Sequence, residues 1–173
     1  GPVCAAAVVL PADIDVLGVD DSKKLSEKKR ESLYVLITER ALAWGVGLTD
    51  NERIDEINIL NATKEAMLAA LVRAGEMLGA RIDHILVDAV KLPESGIPGT
   101  AIIKGDQKSV SIAAASIVAK VTRDRLMIRF DAVYPGYAFA SNKGYGTKAH
   151  LAGIEKMGVT PIHRRTFLTR IHN

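Results

Sequence analysis

The sequence predicts an α/β layered fold, and three observations carry that reading. Short apolar runs of strand character alternate with longer segments whose apolar residues recur at three and four positions. Glycine, proline and polar residues separate the two kinds of segment. Two of the later apolar runs lead into an aspartate, Asp88 and Asp106, and sites in layered sheets gather at the carboxyl ends of strands. A composition 48% hydrophobic and 25% charged supplies a core and excludes disorder as the overall state. One domain over 1–173 is the expectation for a chain of 173 residues.

The valine- and alanine-rich run 3–10 reads as a buried strand that Pro11 ends. The segment 16–25, with Asp20, Asp21, Ser22, Lys23 and Lys24, reads as a polar loop. Ser26 is placed to cap a helix whose buried stripe is Leu33, Leu36, Ile37 and Ala41. Residues 44–49 read as a second strand, with Gly45 and Gly47 weakening the pattern. A polar stretch, 50–58, is expected to lead into a longer helix. Its predicted stripe is Leu68, Leu71, Val72, Gly75 and Leu78, and Gly79 is its stop signal. The run 82–88 lacks alternation, as in a strand covered on both faces. Residues 89–99, with Pro93, Gly96, Pro98 and Gly99, read as loop, and 100–104 as a strand closing on Gly105 and Asp106. A long helix over 110–133 opens with Ala113, Ala114, Ala115 and Ser116, whose small side chains let it lie close to a sheet. Pro135 and Gly136 end it, and a loop, a final helix and a basic tail follow.

A lone cysteine, Cys4, excludes an intrachain disulfide and a cysteine zinc cage, and a reducing cytoplasm is the natural setting. No apolar run approaches the roughly 20 residues that span a bilayer, so no membrane role is expected. The net charge of +3 is unevenly spread: residues 141–173 hold six cations against Glu155 alone, +5, leaving −2 for the rest. A basic end on a near-neutral body suits a polyanion such as nucleic acid, and a solvated basic surface is the bland alternative. The chain opens on Gly1 and Pro2 without an initiator methionine, and its start reads as a truncation.

Asp88 and Asp106, each expected to close a strand, are separated by one loop and one strand, so adjacent strands bring both carboxylates to one edge. Paired carboxylates suit magnesium, which takes oxygen ligands and substrate phosphates. Two such ions can activate a water and stabilise the leaving oxygen of a phosphodiester. Spacing alone is weak support, because an aspartate after a strand is commonly a turn or cap residue. No glycine-rich phosphate loop is present to support a generic phosphate-binding protein.

Six blocks occur in order: Asp21-Ser22-Lys23-Lys24-Leu25-Ser26, then residues 54–63 (Ile54 to Thr63), Lys104-Gly105-Asp106, residues 114–124 (Ala114 to Asp124), Lys143-Gly144-Tyr145-Gly146-Thr147, and His163-Arg164-Arg165-Thr166-Phe167. Together they closely resemble bacterial ribonuclease HII over essentially the whole chain. The resemblance implies a ribonuclease H-like mixed sheet flanked by helices, with a helical C-terminal segment. It also implies cleavage of RNA paired to DNA, including single ribonucleotides embedded in duplex DNA, leaving 3′-hydroxyl and 5′-phosphate ends.

In that family four acids hold two Mg2+ or Mn2+ ions. Asp88 and Asp106 match two of them. The other two belong to an Asp-Glu pair followed by Gly-Arg-Gly, which this sequence lacks, so the chain as given is expected to be inactive or nearly so. Family members usually carry glycine after the third acid, where this chain has Ala89. Tyr145 resembles the family tyrosine that stacks on the sugar beside the ribonucleotide, and Lys23 resembles a phosphate contact. The expected partners are RNA/DNA hybrids and ribonucleotide-containing duplexes, for a monomeric enzyme. Asp124 is read as one half of an ion pair, and His84 as structural. For His163 with Arg164 and Arg165, contact with nucleic acid and contact with the sheet edge both stand. Two rivals remain: ribonuclease HIII, and a catalytically dead nucleic-acid binding module.

Overall fold

The computed structural model describes residues 1–14 and 25–168. Most of the predicted 16–25 loop, Lys23 included, therefore lies outside the described residues. The expected alternation is present: strand β1 (Val3–Val9), helix α1 (Glu27–Arg40), strand β2 (Ala43–Thr49), helix α2 (Asn51–Leu78), strands β3 (Ile85–Asp88) and β4 (Gly99–Ile102), and helix α3 (Val110–Val133). Three shorter helices follow, α4 (Phe139–Asn142), α5 (Lys148–Met157) and α6 (Arg165–Leu168). Among the described residues β1 pairs antiparallel with β2, Val3 opposite Thr49, while β3 pairs parallel with β4, Asp88 opposite Ile102. No described helix is long and apolar enough to cross a membrane.

Helix α1 starts where expected, with the Ser26 hydroxyl accepting from the Lys29 amide at 3.2 Å. Its Leu33 and Ile37 are buried against Ala114, Ile117, Val118 and Val121 of α3. Helix α2 corrects two expectations. The polar stretch 50–58 is itself helical: Asp50 caps its start by accepting from the Arg53 amide at 2.8 Å, and a kink at Asn58 (φ 69°, ψ 165°) divides the helix. The Asn58 side chain caps the second half, accepting from the amides of Leu60 and Asn61.

The predicted stripe of α2 is also not the buried one. Ala62, Ala66, Ala70 and Ala74, four apart, are fully buried, whereas Val72 is 60% exposed. The reason lies in β2. A methyl group at Gly47 would stand 1.9 Å from the Ala66 carbonyl oxygen, and one at Gly45 2.3 Å from that of Ala70. Two glycines facing a row of alanines allow helix and strand backbones to approach closely, which apolar bulk on either side would prevent. Leu68 and Leu71 instead join Met67 against Ile85, Val87 and Leu92. Gly79 ends the helix in the left-handed conformation at φ 64°, as read from the sequence.

Strand β3 is buried through Ile85 and Val87, but Leu86 is half exposed, so it is not covered on both faces. Strand β4 is shorter than the predicted 100–104, because Lys104 turns into the left-handed region at φ 55°.

Candidate active site and nucleic-acid interface

Asp88 is the last residue of β3. Asp106 does not close β4 as expected; it lies on a 3-10 turn, Gly105–Gln107, between β4 and α3, and is buried. The two are nonetheless brought together through the backbone between them. The Gly105 amide donates to Asp88 Oδ1 at 2.9 Å. Gly105 is required here, since a methyl group would meet Ile112 Cδ1 at 2.6 Å and Asp88 Oδ1 at 3.3 Å.

The residue after Asp88 adopts φ 61°, and the Val90 amide closes back on the Asp88 carbonyl at 2.8 Å. This is a tight three-residue turn with Ala89 at its centre. Positive φ is the conformation glycine adopts at no steric cost, and Ala89 adopts it with a methyl group. Ala89 thus takes a conformation that suits the glycine usual in the family, with Asp88 at the strand end.

A cavity of about 550 Å3 opens beside Asp88. It is lined by every residue from 4 to 10 along β1 and every residue from 81 to 88 through β3, with α2 and α3 forming its remaining walls. Successive residues of a strand point to opposite faces, so a cavity touching all of them meets the strand's edge and not a face. Here two strand edges flank one apolar slot, and Asp88 stands at its end. Burial pushes the Cys4 thiol in β1 up to about 12, against a smaller opposite effect of Arg123, so the thiol keeps its proton.

Among the described residues no three histidines, cysteines or acids come together as a metal-holding group. Asp88 and Asp106 alone do not fit a two-ion centre, because two carboxylates fall short of the charge of two close dications, and one Asp88 oxygen already accepts from Gly105.

Tyr145 lies apart on the loop between α4 and α5. It is 64% exposed, with Lys120 Nζ 5.7 Å and Arg123 Cζ 6.0 Å from the ring centre. An exposed aromatic ring with two cations close by suits a sugar or base with its flanking phosphate. Its backbone is fixed on both sides: the Tyr145 amide donates to the Asn142 carbonyl at 2.9 Å, and the Tyr145 carbonyl accepts from the Thr147 amide at 2.8 Å. Lys143 and Gly144 before it take positive φ, 52° and 83°, and Arg123 donates to the Lys143 carbonyl at 2.9 Å.

Asp124 is buried and pairs with Lys120 at 2.7 Å within α3, as the sequence suggested. His84 Nε2 lies 2.9 Å from the Thr100 hydroxyl, a structural bond just before β3. His163 turns inward beside His150, while Arg164 donates to the carbonyls of Gly1 and Pro2 and so serves the start of β1.

The sequence reading missed the work of the 50–58 segment. Asn51 donates to the carbonyls of Pro161 and His163, at 2.8 and 3.2 Å, and the Asp55 carboxylate accepts from the amides of Arg165 and Thr166 at 2.7 and 3.0 Å. Burial opposes ionisation of Asp55, but a bond from the Thr166 hydroxyl, the two amide bonds and the charge of Arg164 together outweigh it and hold the carboxyl below its ordinary range. The available signal was the four-residue spacing of Asn51 and Asp55, which puts both on one helical face.

Comparison with known proteins identifies the family and the fold. A curated ribonuclease HII of Enterococcus faecalis is 58% identical over 167 residues, which are 96% of this chain and 64% of that protein. The crystal structure of the ribonuclease H2 of Pyrococcus horikoshii OT3 superposes with a TM-score of 0.78 at 28% identity, covering 99% of this chain and 89% of that one. A ribonuclease HIII, Bst-RNase HIII, solved in complex with Mn2+, shares the fold at a TM-score of 0.66 and 23% identity, covering 91% of this chain and 58% of that one. The chain thus spans somewhat less than two thirds of the curated relative it matches, and its fold is that of the ribonuclease H2 structure, a ribonuclease H-like α/β architecture. The family model for ribonuclease HII matches residues 1–171, and the chain belongs to the ribonuclease HII family.

Proposed function

We propose that this chain forms most of a metal-dependent endoribonuclease that cuts the RNA strand of RNA/DNA hybrids and cuts at single ribonucleotides embedded in duplex DNA. The products carry a 3′-hydroxyl and a 5′-phosphate. The observation that carries the reading is the Asp88–Gly105 bond: within a chain of this family, it ties the carboxylate of a strand end, which lines the slot, to the backbone immediately before a second buried acid, Asp106. Asp88 and Asp106 act as ligands to Mg2+ or Mn2+. Those ions supply the activated water and the stabilisation of the leaving oxygen when the ligand set is complete. Tyr145 stacks on the sugar next to the ribonucleotide, Lys120 and Arg123 add positive charge beside it, and Lys23 contacts a phosphate.

The slot supports a further point. Its two bare strand edges fit one added β-strand, paired on both sides, and a strand ending level with Asp88 brings its own residues to the two acids. Asp-Glu on such a strand, from upstream in a longer chain, completes the four-acid set. Without it the 173-residue chain is inactive or nearly so. The alternative of a nucleic-acid binding module draws on the same shortage of ligands among the described residues.

The test is cleavage of a duplex bearing one ribonucleotide, with Mg2+ or Mn2+. A chain extended upstream to include the Asp-Glu strand is expected to cut, and Asp88→Asn in it to abolish cutting. The chain as given is expected to bind without cutting; cleavage by it at a rate near that of the extended protein overturns the incompleteness. An extended protein that binds and never cuts establishes the binding module instead.

A further inference from the structure

The strongest unassigned cluster is a pair of buried histidines behind Tyr145. His150 on α5 and His163 before α6 are each 6% exposed, and their Nε2 atoms lie 3.1 Å apart. The stacked rings of Tyr137 and Phe139 enclose them, with centroids 5.2 to 6.5 Å away.

The proton positions follow from the partners. His150 Nδ1 faces the Tyr145 carbonyl at 2.9 Å. A carbonyl only accepts, so Nδ1 carries the hydrogen and, in the neutral ring, Nε2 presents a lone pair. His163 Nε2 must then donate to it, which leaves His163 Nδ1 as an acceptor. That atom does receive the Thr160 amide at 2.9 Å, with the Thr160 hydroxyl at 2.8 Å. Thr160, His163, His150 and the Tyr145 carbonyl therefore form one directed hydrogen-bond chain in which both rings are neutral and every nitrogen has a partner. Two neighbouring imidazoles with fixed, different tautomers are hard to account for as mere core filling, which an apolar pair would achieve without polar groups to satisfy.

We infer that His150 and His163 are positioning residues for substrate recognition: the chain they form sets the height of Tyr145, and so its contact with the ribonucleotide junction. The inference rests on the role proposed above for Tyr145. The C-terminal segment becomes part of the recognition apparatus through it. Asn51 and Asp55 of α2 grip residues 161–166, that segment carries His163, and His163 reaches Tyr145 through His150. A purely structural role predicts loss of stability in proportion to whatever bond is broken; a positioning role predicts loss of discrimination only when the bond to Tyr145 is broken.

The experiment uses the upstream-extended protein and compares kcat/KM for a duplex with one embedded ribonucleotide and for a plain RNA/DNA hybrid, alongside the melting temperature. In His150→Asn the side-chain amide takes the place of Nδ1 and keeps the bond to the Tyr145 carbonyl. In His150→Gln the amide takes the place of Nε2, keeps the bond to His163 and drops Tyr145. The preference for the embedded ribonucleotide is expected to fall about tenfold in His150→Gln, the equivalent of one ordinary hydrogen bond, and to stay within about twofold in His150→Asn. Equal losses in the two variants, tracking their melting temperatures, overturn the inference.

Tyr145→Ala separates the two levels. If it leaves the preference intact, the reading of Tyr145 fails and the relay with it. If it abolishes the preference while His150→Gln does not, the relay alone fails. Nitrogen-15 spectra of the unsubstituted protein provide a check independent of folding: hydrogen on Nδ1 of His150 and on Nε2 of His163 is expected, and the reverse assignment refutes the chain.

Discussion

The Gly105 amide holds Oδ1 of Asp88 at 2.9 Å, so the acid at the end of β3 is positioned by the residue that precedes the second acid. One backbone bond thereby ties the Asp88 carboxylate to the turn that carries Asp106, 18 positions on in sequence. Gly105→Ala forces a methyl group against Ile112 and the Asp88 carboxylate. A loss of about 1–3 kcal/mol in urea denaturation is expected. In the upstream-extended enzyme the same change is expected to lower kcat more than it raises KM, because it moves ligands and not the recognition surface.

Gly47 and Gly75 give opposite outcomes for the same substitution. Gly47→Ala sets a methyl group 1.9 Å from the Ala66 carbonyl oxygen and is expected to cost about 3 kcal/mol or more, unfolding the chain or separating α2 from β2. Gly75→Ala meets only Ile82 Cδ1, at 3.8 Å, inside a helix, and is expected to stabilise by about 0.5–1 kcal/mol. Circular dichroism melts of the two variants check both signs.

Ala89→Gly removes the steric cost of a positive φ and adds unfolded-state freedom, so a net gain of up to about 1 kcal/mol is expected. Ala89→Val, β-branched at the same φ, is expected to destabilise by more than about 1 kcal/mol. A melting temperature that ranks valine above glycine contradicts the turn.

Burial lowers the pKa of His163 to about 4, with His150 and the Gly1 amine acting in the same direction. Its folded value is below its unfolded one, so between the two the unfolded chain binds more protons. The contribution is fully present above about pH 6.5, shrinks as the pH falls towards about 4, and changes no further below that. The difference in melting temperature between the unsubstituted protein and His163→Gln is expected to narrow across that window. A constant difference from neutral pH to about pH 4 removes the effect.

Much of the architecture is legible in the sequence because local rules and tertiary packing agree. Ser26 caps α1, Gly79 stops α2, and Ala113 and Ala114 at the start of α3 are buried. The misses share a cause. Polarity made 50–58 look like a loop, yet Asn51 and Asp55 are polar because they bind the backbone of a distant segment. Large apolar residues drew the stripe of α2 towards Val72, while the glycines of β2 select alanine for the buried face. At the site, Asp106 was expected at the end of β4; it lies instead on the turn after that strand, whose Gly105 amide reaches Asp88. The histidine pair carries no local signature, since 13 positions separate its members and only the folded chain joins them.

Helix α3 has a consequence of its own. It begins just after the turn holding Asp106 and, ten residues on from Val110, presents Lys120 to the ring of Tyr145. At about 1.5 Å per residue, those ten residues make a rod of roughly 15 Å. The buried residues along it, from Ile112 to Met127, stiffen it against the sheet and α1. The helix therefore works as a gauge: under the proposed function, the place where Tyr145 would read a duplex and the turn that carries Asp106 are held at a set interval. Loop substitutions can weaken either end, but only lengthening or kinking α3 changes the interval itself.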